Sequence, residues 1–304
     1  MNWRNFLLVI VFVAGSGTSF AQSNLLNAKT PSEIGKKSPA QLISDKDKPL
    51  PYGYVHDRDI LMGKTTWELI DLDERINFPL YYPIDTANIG KERRSLFDVL
   101  INGIKAGKIT EVYSDSYFNT KKTLKEMESS FTYTDTIQGG LDEINNYFDD
   151  YKTGKKVLDK QYINTKVLTA QDINSYKIKG FWYFDNRLSE LKYRLLGICP
   201  VSPEAKEIGN ETQDLIELFW VYFPSVRDIL HDAKAFNNRN SAMPIDFDHL
   251  LNSRRFSGVV YQEENVQGDR AIADYMKENS QKQLLESERI KDKIRDFEHD
   301  MWNY

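Results

Sequence analysis

A single cysteine, Cys199, is all the thiol chemistry this 304-residue chain carries, so no intramolecular disulfide can form. Stability therefore rests on packing, aided by assembly. Within Leu195-Leu196-Gly197-Ile198-Cys199-Pro200-Val201 no cationic neighbour or helix start activates the thiol, which reads as a small buried hydrophobe. Histidine is scarce as well. His56, His231, His249 and His299 are far apart and lack metal-ligand spacing. No Gly-x-Ser-x-Gly elbow, phosphate-cradling glycine loop or His-Glu-x-x-His is present. Asp45-Lys46-Asp47 and Asp246-Phe247-Asp248 open like calcium loops, but neither continues to the required Gly and Glu. Asp149-Asp150 has a chemistry that glycoside hydrolysis uses, yet among 45 carboxylates solvated surface charge is the ordinary reading. No catalytic constellation, cofactor motif or metal site stands out. The chain reads as a structural or binding component, with no enzyme activity and no cofactor.

Long apolar runs are missing too. The longest, Phe6 to Ala14, has nine residues, against the roughly 20 that a spanning helix needs. Arg4 precedes it, and Ser19-Phe20-Ala21 follows with a small-x-small pattern. Residues 1–21 therefore read as a secretory signal peptide cut between Ala21 and Gln22. No cysteine follows the cut to carry a lipid, so direct membrane insertion is not expected and attachment runs through a partner. The net charge of −5 is modest and evenly spread, which argues against nucleic acid or an anionic membrane surface as the partner.

What is present is aromatic: 17 Tyr, 16 Phe and 5 Trp, enough for a sizeable core or an interface. Phe78-Pro79-Leu80-Tyr81-Tyr82-Pro83 recurs in outline as Phe219-Trp220-Val221-Tyr222-Phe223-Pro224. Phe97-Asp98-Val99-Leu100 and Phe247-Asp248-His249-Leu250 follow in turn, and then the apolar stretches Ile109 to Tyr113 and Phe256 to Tyr261. The order predicts an α+β fold with two degenerate, related strand–helix–strand halves and a helical C-terminus. Residues 22–52 form a polar arm too poor in apolar residues to order alone. The first half spans 53–150, the second 151–268, and a charged helix 269–304.

Trp67 to Ile76 fits neither helix nor strand period. Ser95 predicts an N-cap for a helix through Ala106 with Leu96, Val99, Leu100 and Ile104 on one face, closed by Gly107. Ile109 to Tyr113 reads as a strand, as do Ile178 to Phe184, Leu191 to Val201 and Asp214 to Phe223. Pro224 starts a helix. Near the C-terminus Ile290, Ile294, Phe297 and Met301 form one narrow apolar stripe, which either folds back on this chain's core or docks on a partner. Opposite charges three apart flank it, Glu288–Lys291, Arg289–Asp292, Asp292–Arg295, Lys293–Asp296 and Arg295–Glu298, at ~0.2–0.5 kcal/mol each.

An ordered set of motifs carries a family resemblance. It comprises Trp67-Glu68-Leu69-Ile70-Asp71-Leu72, Asn77-Phe78-Pro79-Leu80-Tyr81-Tyr82-Pro83, Ser95-Leu96-Phe97-Asp98 and Gly180-Phe181-Trp182-Tyr183-Phe184-Asp185. Arg194 to Pro200, Phe219 to Pro224, Phe247-Asp248, Arg254-Arg255-Phe256-Ser257 and Asn265 to Tyr275 complete it. In this order they resemble GldN, or PorN, the gliding-motility and type IX secretion family of Bacteroidetes. Cys199 stands where a small residue such as alanine is expected, and 277–304 is poorer in motifs.

The resemblance implies a non-enzymatic periplasmic subunit that self-associates into a ring. It implies assembly with an outer-membrane lipoprotein of the GldK/PorK type, hence a periplasmic location at the outer membrane. It also implies contact with the periplasmic region of a GldM/PorM-type motor protein. It carries over no active-site residues. A periplasmic hydrolase, or a carbohydrate- or peptide-binding module, is the competing expectation. The first would show a deep pocket of converging carboxylates or histidines, the second an exposed aromatic platform in a groove.

Overall fold

The computed structural model describes residues 30, 48–86, 93–153, 156–208, 213–237, 245–277 and 279–302. The expected signal peptide 1–21 with its cut at Ala21 and Gln22, nearly all of the arm 22–52, and Asp45-Lys46-Asp47 lie outside the described residues. Among the described residues no helix is long and apolar enough to cross a membrane.

The stretch with no clear period, Trp67 to Ile76, begins as a strand. Strand β1 (Ile60–Asp71) contains Trp67, Glu68 and Ile70 buried on the two faces of a sheet, and a strand covered on both sides carries no apolar–polar alternation. Helix α1 (Phe78–Tyr81) and helix α2 (Leu96–Lys105) follow. The Ser95 hydroxyl accepts from the Asp98 amide at 3.2 Å, capping α2. Its apolar face is buried as predicted, and Gly107 ends it at φ 67.

Helix α3 (Leu124–Phe131) is held by a reciprocal capping box between Thr123 and Glu126. Strand β2 (Thr132–Thr136) pairs with β3 (Ile163–Val167) as a separate two-stranded ribbon, with α4 (Gln138–Asn146) and α5 (Phe148–Lys152) between them.

The long hairpin β4 (Ser175–Asp185) and β5 (Glu190–Pro203) is the spine of the fold. β1 lies antiparallel on β4 from Ile60↔Asp185 to Asp71↔Ser175. Short strands β6 (Leu215–Glu217) and β7 (Val221–Tyr222) pair with β5. Helix α6 (Phe223–Asp232) takes Pro224 in its first turn. The small pair β8 (Lys234–Ala235) and β9 (Ile245–Asp246) leads to α7 (Phe247–Asn252). β10 (Val259–Glu263) then joins the open edge of β1. Helix α8 (Ile272–Tyr275) and the long α9 (Ser280–Trp302) close the chain. The main sheet runs β10-β1-β4-β5-β6.

The α+β class and helical C-terminus stand as expected. Because β1 from the first part lies between β10 and β4 from the second, the two expected halves share one sheet, and residues 49–304 form one compact unit. The echo between them is one of sequence more than conformation. Phe78–Tyr81 coils, whereas Val221-Tyr222 is strand before Phe223 begins a helix. Only the two Phe-Asp-x-Leu segments match, each a helix capped by the preceding Ser95 or Asp246. Ile109 to Tyr113 is not the expected strand. It makes only isolated bridges, Tyr113 with Lys121 and Trp220, because Ile109 turns inward under Gly103.

The principal core lies where α2, α6 and α7 cover one sheet face, with Leu100, Tyr176, Ile198, Phe219, Phe223 and Phe247 buried. Each such apolar side chain contributes about 1.5–3 kcal/mol. Phe97, Phe131 and Phe219 meet edge to face in series, tying α2 and α3 to the segment before β7. Trp67, Tyr113, Cys199 and Trp220 form a second cluster on the opposite face, as period-two alternation along β1 requires.

Candidate functional site

Gly180 makes room for the first unusual feature. A Cβ there would collide with the Tyr193 ring, which lies across β4. Tyr193 tilts against Trp182, with ring centroids 4.8 Å apart. The Arg254 guanidinium sits over both, 4.3 and 4.9 Å from their centroids. From there it donates two hydrogen bonds, at 3.0 and 2.7 Å, to the Glu68 carboxylate, which is 1 % exposed. Burial pulls the Arg254 guanidinium downward, but the charge and hydrogen bonds of Glu68 outweigh it and its pKa lies above the ordinary arginine value. Burial likewise holds the Tyr193 phenol well above its usual range.

Arg254 also has φ 51. The Arg255 amide bonds to Leu250 O and the Arg254 amide to Leu251 O, so Arg254 stands where a Schellman helix end usually places glycine. The sequence showed Arg254 only as part of a motif, and nothing local connects it to Glu68.

A second network anchors the start of the folded unit. Arg227 donates from both Nε and Nη2 to Asp248, at 2.7 and 2.9 Å. The Tyr52 ring is clamped between Arg227 and Arg194 at 4.1 and 4.7 Å, with its hydroxyl donating to Asn252 at 2.8 Å. His231, Asp246 and Asp248 meet here, their ligand atoms within 4.8 Å of one another. A cation is already built in, however. Asp248 holds Arg227 and Asn252, and Asp246 caps α7 with Lys234 4.0 Å away. The group therefore fits an ion-pair network and not a metal ion. On the opposite face Lys179 is packed among Trp67, Tyr117 and Phe118 and donates to Ser116 O at 3.1 Å. Burial lowers its pKa despite the acids nearby.

Cys199 is buried, and desolvation pushes its thiol far above the ordinary range, the inert behaviour expected of it. Of the C-terminal stripe, Ile290 and Ile294 are buried against Val260 and Ile272 of the same chain. Phe297 meets Phe184 edge to face at 5.8 Å, and Met301 is half-buried. Ile290 and Ile294 of the stripe thus pack on the chain's own sheet. The stripe's flanking charges rearrange as well. Lys291 bonds Glu288 and Arg295 bonds Asp292 as expected, but Arg289 turns back to Glu286 instead of reaching Asp292.

The seam is narrow, and α9 is flanked by a hollow on each side. One, of about 330 Å³, lies over Glu68, Trp182, Leu191 and Arg254. The other, of about 460 Å³, runs between α9 and residues Met62 to Lys64 of β1. Its carboxylates, Glu263, Asp292, Asp296 and Asp300, are interleaved with Lys64, Arg289 and Lys293.

A family model described as gliding motility associated protein GldN matches residues 55–303. No curated protein matches the chain.

Proposed function

The chain belongs to the GldN family of gliding-motility-associated proteins, and from that membership we propose a non-enzymatic periplasmic ring subunit of the type IX secretion and gliding machinery. The family match, which spans nearly all of the described residues, is the observation that carries the reading. In this role residues 1–21 direct export. A lipoprotein of the GldK/PorK type holds the protein at the outer membrane, self-association builds the ring, and a GldM/PorM-type motor protein meets it from the inner membrane. The polar clusters support the role by their economy. Glu68 with Arg254, and Asp248 with Arg227, spend their charge on fastening segments of the chain to one another.

The test is to pull the tagged protein from detergent-solubilised envelopes, identify its partners, and measure its intact mass. The lipoprotein and the motor protein should co-purify, and the mass should begin at Gln22. Deleting the lipoprotein should leave the protein soluble or degraded. Recovery of neither partner, with unchanged envelope retention in the deletion strain, would overturn the reading.

A further inference from the structure

β10 covers only part of the edge it joins. It pairs with β1 from Thr66↔Glu263 to Leu69↔Val259. Beyond that point the Glu264 amide donates to Thr65 O at 2.9 Å, and the Glu264 carboxylate accepts from the Thr65 amide at 3.3 Å. Thr65 therefore turns both backbone groups toward the β10 side. Successive residues of a strand alternate in direction, so Gly63 turns its groups the same way, up to the bulge that shifts the register with β4 between Ile60 and Met62. Among the described residues no strand meets Gly63 there. Leu61 and Gly63 are exposed, while Met62 to Thr65 are paired with β4 on the other edge. An edge left open in this way is a template for another strand.

The open edge faces the hollow of about 460 Å³. Its floor is apolar, from Met62, Ile290, Ile294 and Phe297, and its far wall is α9. Asp292, Asp296 and Asp300 recur every four residues on that wall and so share one helix face. Asp292 is engaged by Arg295, whereas Asp296 and Asp300 are exposed and have no cationic partner among the described residues. Lys64, the cation on the strand side, is taken by Glu263 at 3.0 Å and by Glu264 O at 2.6 Å.

We propose that this groove binds an extended, basic segment of a partner polypeptide by strand addition to Leu61–Lys64, in line with β10. A strand and a helix with a groove between them is a recurring way to hold a peptide, with the backbone giving affinity and alternate side chains giving specificity. On this edge alternate residues of the added strand point toward α9. Lysine or arginine suits those positions, since its methylene stem lies along Met62 and Phe297 while its charge reaches Asp296 and Asp300. The open edge is about 13 Å long at ~3.3 Å per residue, room for some four residues. The proposal gives a chemistry to one partner contact of the assembly role and rests on that role only for the partner's existence.

The probe is the acetylated, amidated hexapeptide Lys-Val-Lys-Val-Lys-Val, titrated into the purified protein with calorimetry and amide NMR. The control is the same peptide with proline at the central valine. Expected is binding that weakens with salt, with the Gly63 amide shifted and protected from exchange. Asp296→Lys with Asp300→Lys should weaken binding at least tenfold without touching the sheet. Equal binding of the proline control, an unmoved Gly63 amide, or full affinity in the charge-reversed variant would overturn the proposal. Failure here with the lipoprotein and motor partners still co-purifying would remove the groove and leave the assembly role intact.

Discussion

Replacing Arg254 by glycine sets two opposing terms against each other at one position. Arg254 is held at φ 51 by the Schellman end of α7, and a non-glycine residue there costs on the order of 1 kcal/mol. Glycine removes that strain. It also removes the partner of Glu68, whose side chain is 1 % exposed and keeps its charge away from water. Breaking a buried pair by deleting one member costs about 3–5 kcal/mol, so the net loss should be about 2–4 kcal/mol.

For a folded unit of this size, about 2 °C of melting temperature corresponds to 1 kcal/mol, which predicts a fall of roughly 4–8 °C. Scanning calorimetry on the purified protein checks the number, and Glu68→Gln in the Arg254→Gly background checks the cause. Once the stranded charge is gone, the double variant should recover at least half of the loss. An Arg254→Gly variant that melts at or above the parent would refute the reasoning, because strain would then outweigh the pair.

The seam of α9 gives a second prediction. Ile290 is 1 % exposed, and Ile→Ala in a core costs about 2–5 kcal/mol; with hollows on both flanks the site can relax, so a fall of about 4 °C is expected. Leu285→Ala, at an exposed position on the same helix, should change the melting temperature by less than 1 °C, and equal effects at the two positions would refute internal packing. A third concerns acid. The hydrogen bond from Arg289 holds the Glu286 carboxyl below its ordinary value, with a further bond from Tyr275. Its stabilisation is present above about pH 4.3, the unfolded value, and is lost as pH falls through the folded pKa. Denaturant unfolding at pH 6 and pH 3 should show a larger loss for the parent than for Glu286→Gln, and parallel losses would count against the pairing.

Local chemistry made part of the fold legible. Ser95, Gly107 and the spacing of Leu96, Val99, Leu100 and Ile104 act within a dozen residues, and α2 begins and ends where they place it. Pro224 acts the same way on α6. Trp67 to Asp71 was illegible because it is covered on both faces, by the main core at Ile70 and by the Trp67–Trp220 cluster. Ile109 to Tyr113 misled for the converse reason. An apolar run reads as a strand, but here Ile109 fills the space left by Gly103 and Tyr113 bridges to Trp220, positions that only the tertiary structure supplies.

The long-range polar networks were less legible still, and separation along the chain explains why. Glu68 and Arg254 are 186 residues apart, and Tyr52 and Asn252 are 200 apart. No window of sequence contains both members of either pair. The apolar stripe on α9 was readable as a stripe, but its direction was not, because period alone is the same for a helix folded inward and one facing a neighbour. Val260, Ile272 and Phe184 decide it. With Ile290 and Ile294 turned inward, what α9 leaves uncovered is the flank carrying Asp296 and Asp300, beside the open edge at Gly63. Short acidic spacing on a charged helix is common, and an unpaired strand edge leaves no mark in composition. Only their placement on either side of one groove gives them a common meaning.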